Sequence, residues 1–452
     1  MKRITSALFA ALSSLGTTRR HPRSTFNIQL STLAVAALFA ATASADLPRP
    51  DPSIAEFARG VKFTVAGYNG GAEVQTNFPV LVRLSTAITG FDYGDFYNDG
   101  SLDINLVDIG FVDADGNGIP YEIDTWNPAN NATSLVWVTL PVMTNGTEFA
   151  MWYRSSKTGK ALNSTNAWFE YTGVWHLNES GAKESKTAIS DSTTNALHGT
   201  SQDCAASVSV GRIGGSWRLG DDYNRIKGGI VIDFAADATK NATVNDLGDT
   251  FSTSFWMKRR DKETKWCVTG LNRRQDGSTA GWGTQMHDDN AQLRVYGNGG
   301  KNTYTASSTM TGSNTADKWG KVDVVWFNDN GVGKFVAYWN GAPVTTANLN
   351  PATPVSQPNG VNLVIGNFQN LTSDRVWSGE MDGVRLIKGR PSAVRIVADY
   401  ETVNTPGFLT ADTVFTNQVI ERPVANIHIA DKGASHIQFG GSLSSIASPP
   451  VF

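Results

Sequence analysis

Between Phe57 and Tyr153, apolar and polar residues alternate in short runs separated by turn signals. Gly60 to Ala66, Pro79 to Leu84, Ile104 to Val107, Leu135 to Pro141 and Glu148 to Tyr153 each have the length of a strand. In Val80-Leu81-Val82-Arg83-Leu84 and Leu135-Val136-Trp137-Val138 the alternation gives one buried and one wetter face, and no helical period of useful length intervenes. This pattern predicts an antiparallel β-sandwich over residues 57–155. The polar stretch Ser155 to Asn166 (SSKTGKALNSTN) then breaks the pattern, which makes 156–167 a linker and the flanking regions separable.

The alternation resumes at Trp168 and continues to about Leu409, with strands such as Gly229 to Phe234, Phe251 to Lys258, Lys321 to Phe327, Lys334 to Trp339 and Gly379 to Leu386. Turns such as Asn328 to Gly331 and Asn340-Gly341 separate them, so 168–410 reads as a large two-sheet jelly roll. One helix is predicted, capped by Ser392 and striped by Val394, Ile396, Val397 and Tyr400. Residues 411–452 look strand-like and end in a Ser- and Pro-containing segment, a tail or a partial domain. The fold class is therefore all-β, an antiparallel sandwich followed by a jelly roll.

The N-terminus changes the picture. Lys2, Arg3, Arg19, Arg20 and Arg23 precede an apolar run from Leu33 to Ala41, and Ala43-Ser44-Ala45 stands ahead of Asp46. That order describes an export signal over 1–45, and its apolar run is too short to span a bilayer. The expected compartment is the periplasm, the cell surface or the exterior. Removing the leader takes five positive charges from the 38 and none of the 41 acidic ones, leaving a formal charge of −8. An acidic, evenly mixed surface argues against nucleic acid as a partner, and the mature chain is expected to carry no membrane span. An oxidising compartment permits Cys204 and Cys267 to pair or to stay as two buried thiols. The sequons at Asn131, Asn145, Asn178, Asn241 and Asn370 read as incidental in an Asn- and Thr-rich chain.

Two resemblances add to this reading. Asn77-Phe78-Pro79-Val80-Leu81-Val82, Phe91 to Phe96 (FDYGDF), Phe111 to Gly116 (FVDADG), Pro120 to Trp126 (PYEIDTW) and Leu135 to Val138 (LVWV) follow one another as in a bacterial domain of unknown function. That domain, which the stretch resembles, commonly precedes a laminin-G-like domain in exported or envelope proteins. Val174-Trp175-His176-Leu177, Asp191 to Gly199 (DSTTNALHG), Trp319 to Trp326, Tyr338-Trp339-Asn340-Gly341, Val364-Ile365-Gly366 and Gly379 to Leu386 (GEMDGVRL) resemble the laminin-G-like branch of the concanavalin-A-like lectin and glucanase superfamily. The second resemblance implies a jelly roll that binds glycans or protein surfaces through its loops or concave face, often with structural calcium.

Because that superfamily includes laminarinase-type hydrolases, paired carboxylates need testing. Retaining glycosidases use two carboxyl groups about 5 Å apart, and residues two apart on a strand share a face. Glu122-Ile123-Asp124 and Glu380-Met381-Asp382 each begin such a motif, but neither has the second Glu. His176, His198 and His287 lie far apart, with no Ser or Cys arrangement resembling a triad. The chain therefore reads as a non-enzymatic binding protein for a glycan or a surface protein, with a glycoside hydrolase or an envelope assembly component as the alternatives.

For ligand contact the candidates are Trp266, Trp282, Tyr296 and Trp377, aromatic residues at strand ends or in loops of the jelly roll. Asp113, Asp115, Asn117 and Gly118 match the first half of a calcium loop, although Pro120 intrudes and the twelfth position, Asp124, is shorter than the usual Glu. A second calcium site is expected from Asp191, Asn195 and Asp382, because the first and last strands of a jelly roll commonly lie side by side.

Overall fold

The computed structural model describes residues 57–96, 107–128, 132–155, 167–203, 205–220, 228–258, 266–274, 280–287, 292–298, 318–372, 375–377 and 379–416. The leader, most of the expected strand at Ile104 to Val107, the linker, Cys204 and the tail beyond 416 lie outside the described residues.

The first sandwich contains β1 (Phe57–Val65), β2 (Gln75–Leu84), β3 (Ile109–Asp113), β4 (Tyr121–Thr125), β5 (Ser134–Met143) and β6 (Glu148–Ser155). The second contains β7 (Tyr171–Trp175), β8 (Ala188–Ile189), β9 (Gly199–Asp203), β10 (Ala206–Val208), β11 (Ser216–Arg218), β12 (Gly228–Ile232), β13 (Phe251–Lys258), β14 (Trp266–Arg273), β15 (Trp282–His287), β16 (Gln292–Gly297), β17 (Trp319–Asp329), β18 (Val332–Trp339), β19 (Ala342–Asn348), β20 (Leu363–Ile365) and β21 (Glu380–Lys388). Helix α1 (Ala238–Asn245) and helix α2 (Ala393–Asn404) complete it, and β22 (Leu409–Ala411) and β23 (Phe415–Thr416) follow. Sequence pattern missed α1, whose start is fixed by Asp237 accepting from Thr239 N and Lys240 N.

The strands form four antiparallel sheets. The first has the order β22-β1-β6-β3 with β23 also on β1, and the second β2-β5-β4. The third has the order β10-β11-β21-β13-β17-β18-β19 with β7 also on β21, and the fourth β16-β15-β14-β20-β12-β9-β8. Alternation then decides what lies between them. On β2 and β5, Phe78, Val80, Val82, Val136, Val138 and Leu140 enter one core with the first sheet, while Leu81 and Trp137, paired across the strands, point the other way. On the third sheet, Phe251, Phe255, Val322, Val324, Trp326, Phe335 and Leu386 face the fourth sheet and form the jelly-roll core.

Leu81 and Trp137 do not face solvent. They pack with Trp168, Tyr171, Val174, Ile213, Trp256 and Val403, so the second sheet lies against the outer face of the third. Helix α2 covers a further part of that face, and its predicted apolar stripe serves three clusters: Val394 packs on the first sandwich, Ile396 on β17 and β18, and Tyr400 on the junction. Arg83 donates to the carbonyls of Thr402 and Val403, and Leu81 N donates to Thr402 Oγ1, which ties the helix's last turn to β2. The chain then re-enters the first sandwich, where β22 pairs along Phe63 to Val65 and β23 along Arg59 and Gly60. The described residues of both sandwiches thus belong to one compact unit, a joining that the strand pattern did not show.

Candidate functional site

The two sandwiches meet at a cluster of ionised side chains. Because side chains alternate along a strand, β4 sends Tyr121 and Ile123 into the first core and Glu122 and Asp124 toward the jelly roll. On the facing wall β7 buries Trp175 in the jelly-roll core, which turns its neighbour His176 outward to meet β4. His176 Nε2 lies 3.0 Å from Glu122 Oε2, and Nδ1 lies 3.0 Å from Asp124 Oδ2. A neutral imidazole has only one N–H, so two carboxylate partners call for the doubly protonated ring. Burial disfavours that charge, but the Glu122 and Asp124 carboxylates outweigh it and push the His176 pKa up to about 10.

Both carboxylates are held further. Trp168 Nε1 donates to Glu122 Oε2, and Ser192 Oγ donates to Oε1 at 2.8 Å. Burial raises the Glu122 pKa, yet the His176 charge and these bonds together bring it below the usual carboxylate range. Trp137 Nε1 donates to Asp124 Oδ2 at 3.2 Å, and Thr125 Oγ1 to Oδ1 at 2.9 Å. The loop before β11 closes over Asp124 through Gly214, at φ +69, where an added Cβ would stand 2.8 Å from Asp124 Oδ1. Behind the loop lies Asp382, fully buried, accepting from Ile213 N at 2.6 Å. Burial and the nearby Asp124 raise its pKa well above the ordinary value.

This arrangement bears directly on hydrolysis. A retaining glycosidase needs one carboxylate free to attack and one carboxyl carrying a proton. Glu122 and Asp124 share a face as expected, but both are bound to one cation and the Asp124 side chain has no exposure. In the second half-motif, Glu380 pairs with Lys258 at 2.7 Å and with Arg218 at 3.5 Å.

The other candidates fall elsewhere. Trp282 is fully buried against Phe251 and Trp326, its Nε1 donating to Gln357 Oε1 at 2.9 Å. Trp377 is part of the same core. Tyr296 lies beneath the Arg274 guanidinium, 4.1 Å from the ring centre, and its hydroxyl donates to Gln285. A sugar ring stacks only on an open aromatic face, and the protein's own side chains cover these three, which corrects their expected exposure. Trp266 opens β14, opposite His287 on β15.

For calcium, the Asp191 carboxylate accepts from Val174 N, Thr193 N, Thr193 Oγ1 and Leu197 N, and Asn195 Nδ2 donates to Thr172 O. Val174 directs both its N–H and its carbonyl at residues 191 and 192, so this turn flanks the free edge of β7. Asp382 lies on β21 ahead of the segment Val384 to Ile387 that pairs with β7, opposite Trp256 of β13. The Asp191 and Asp382 carboxylates are thus each taken up by backbone N–H groups of their own surroundings, Val174, Thr193 and Leu197 for one and Ile213 for the other. Asp113 accepts from Asp115 N and Asn117 N as in an ordinary hairpin turn, while Asp124, the expected twelfth position, belongs to the junction. Among the described residues no three His, Cys, Asp or Glu side chains are grouped to hold a metal.

Sequence reading missed His176 as the pivot, together with Trp168 and Ser192. Its only signal was a titratable residue inside the apolar run Val174 to Leu177.

Residues 235–396 match the family model described as the concanavalin A-like lectin/glucanases superfamily, of the laminin-G type. The match lies wholly in the second sandwich and lends no support to the resemblance of the first to a bacterial domain of unknown function. No curated protein sequence matches the chain. Among solved structures, the chain is similar to domain 4 of an extracellular GH43 arabinanase from Geobacillus stearothermophilus, in complex with arabinotriose, with 19% identity, 47% of this chain and 91% of that chain covered, and a TM-score of 0.33. It is also similar to the binding domain of Paraclostridial Mosquitocidal Protein 1, with 16% identity, 51% and 53% covered and a TM-score of 0.34. The binding domain of Botulinum Neurotoxin DC in complex with SialylT gives 13% identity, 52% of each chain and a TM-score of 0.34. The chain thus spans about half the length of these two binding-domain structures.

Proposed function

We propose that the protein is an exported, non-enzymatic binding protein whose jelly roll recognises carbohydrate. The observation that carries this reading is the closure of the carboxylate pair. Glu122 and Asp124, the residues with the spacing of a hydrolase motif, are committed to His176 at the junction. The match of 235–396 to a lectin and glucanase superfamily supports a carbohydrate ligand, and the charge pattern of residues 1–45 supports export. Since the first sandwich and α2 cover the outer face of the third sheet, recognition falls to the remaining surface of the jelly roll.

A glycan array probed with the mature chain tests the proposal, alongside a reducing-sugar assay on laminarin. The expected result is binding to at least one glycan, retained in Glu122→Gln, with no sugar released. Hydrolysis abolished by Glu122→Gln would establish an enzyme instead. Binding to no glycan would overturn the carbohydrate reading in favour of a protein partner in an envelope assembly.

A further inference from the structure

Beneath α2 the outer face of the third sheet carries buried polar side chains beside the apolar ones that meet Ile396. Ser254 on β13 stands directly across from Asp323 on β17, and Ser252 stands across from Val325. These residues share one face with Ile387 of β21, and a cleft opens between them and the helix, bordered also by Tyr171, Arg395 and Asp399. The charges around it are nearly all matched. Lys321 Nζ contacts Asp323 Oδ1 and lies 2.8 Å from Asp399 Oδ2, and Arg385 Nη1 lies 2.6 Å from Asp399 Oδ1. Arg395 is engaged by the first sandwich, through the carbonyls of Thr76 and Asn77, and by Glu170.

Asp323 Oδ2 and Ser252 Oγ, on the strand face turned toward the cleft, have no hydrogen-bond partner among the described residues. Both residues are at least nine-tenths buried, at 5% and 3% exposure. A buried carboxylate oxygen left unmatched is costly, so each such group calls for a partner. Ser252 and Asp323 are diagonal neighbours on paired strands, a separation of about 7–8 Å between backbones that one molecule can bridge from side chain to side chain. An anion would face two carboxylates there, and a cation would face Lys321, Arg385 and Arg395. A neutral molecule that donates to Asp323 and accepts from Ser252 fits both ends, and the cleft has room only for something of water's size.

We propose that this cleft is an internal hydration site, in which ordered water bridges Asp323 Oδ2 and Ser252 Oγ beneath the helix that joins the two sandwiches. The site uses neither the junction carboxylates nor the surface left for glycan, so it stands apart from the proposed function. A high-resolution crystal structure of the mature chain tests it. The expected result is a well-ordered density peak within hydrogen-bonding reach of both atoms, lost in Ser252→Val, whose added methyl groups occupy the space and offer no donor. A dry cleft, a peak unchanged in Ser252→Val, or a peak with the ligand shell of a metal ion would each overturn it. Should Ser252→Val fail to fold, magnetisation transfer in the wild-type chain from long-lived water to the amides of Ser252 and Asp323 decides the matter, and its absence also overturns the site.

Discussion

The two faces of the third sheet bury different chemistry. Toward the fourth sheet lie Phe251, Val322, Val324, Trp326, Phe335 and Leu386, a continuous apolar core. On the opposite face of the same strands lie Lys321, Asp323, Ser252, Ser254, Arg385 and Asp382, all buried as well, under α2 and the first sandwich. An apolar face is held by volume and area removed from water, which almost any well-packed residue supplies. A buried polar face is held only while each charge keeps its specific partner. The inner face therefore makes the fold, and the outer face defines what may dock on it.

The largest loss from a single substitution is expected on the inner face. Trp326 is fully buried, stacks on Phe251 with ring centres 5.0 Å apart, and donates from Nε1 to Tyr296 O at 2.9 Å. Trp326→Ala is expected to cost about 4–5 kcal/mol in urea unfolding, and no change at a neighbouring partner should restore it. A loss near the size of a surface substitution would mean that the inner face is not the core.

On the outer face the corresponding change behaves differently. Lys321→Met leaves Asp323 without its nearest cation in a buried site, with an expected loss of about 3 kcal/mol. Here removing the partner should help, because replacing a whole buried ion pair by apolar groups is often close to neutral. The double variant Lys321→Met/Asp323→Leu is expected to recover at least half of the loss. Strictly additive losses would show that the pair acts as packing rather than as charge.

The junction gives the same comparison a pH axis. His176 has its pKa raised from 6.5 to about 10, so its contribution is complete below about pH 6.5 and fades as pH rises toward 10. Stability at pH 9.5 should fall below that at pH 6 by about 2 kcal/mol, discounted from the full shift because the Glu122 side chain is 31% exposed. His176→Gln should flatten this alkaline slope. Asp323 contributes with the opposite placement, since burial foremost raises its pKa from 3.8 to about 6, and its contribution fades as pH rises across that interval. Asp323→Asn should alter only that acidic interval, and an unchanged profile in both variants would remove the charge-based account.

Legibility follows the same division. Alternation located β2, β5, β13, β17, β18 and β21, because each has one face in an apolar core. It could not tell that the polar face of β17, with Lys321 and Asp323, is covered, since a buried ion pair and a solvated one have the same sequence pattern. Trp282 and Trp377 mislead for the complementary reason: a tryptophan at a strand end or in a loop looks exposed until the opposing sheet is in place. The pairing of Glu122 with Asp124 on one face was readable from period two alone. Their partner His176, 52 residues beyond Asp124, depends on how two sheets stack, which no local period encodes.

The smallest expected effect sharpens how tightly the junction is coupled. Ser192 donates from Oγ to Glu122 Oε1 at 2.8 Å, on the side of the carboxylate away from His176. A hydrogen bond to a charged acceptor would ordinarily contribute about 1.5–3 kcal/mol, but Glu122 keeps enough exposure for water to replace the hydroxyl. Ser192→Ala should therefore cost only about 0.5–1 kcal/mol. What matters is how that loss combines with His176→Gln. If Ser192 stabilises the ionised form of Glu122, its loss should shrink once the imidazolium is gone, because Glu122 can then take up a proton and no longer needs the donor. A coupling of about 0.5 kcal/mol between the two substitutions in a double-mutant cycle is expected, and full additivity would reduce Ser192 to a simple turn residue beside the site.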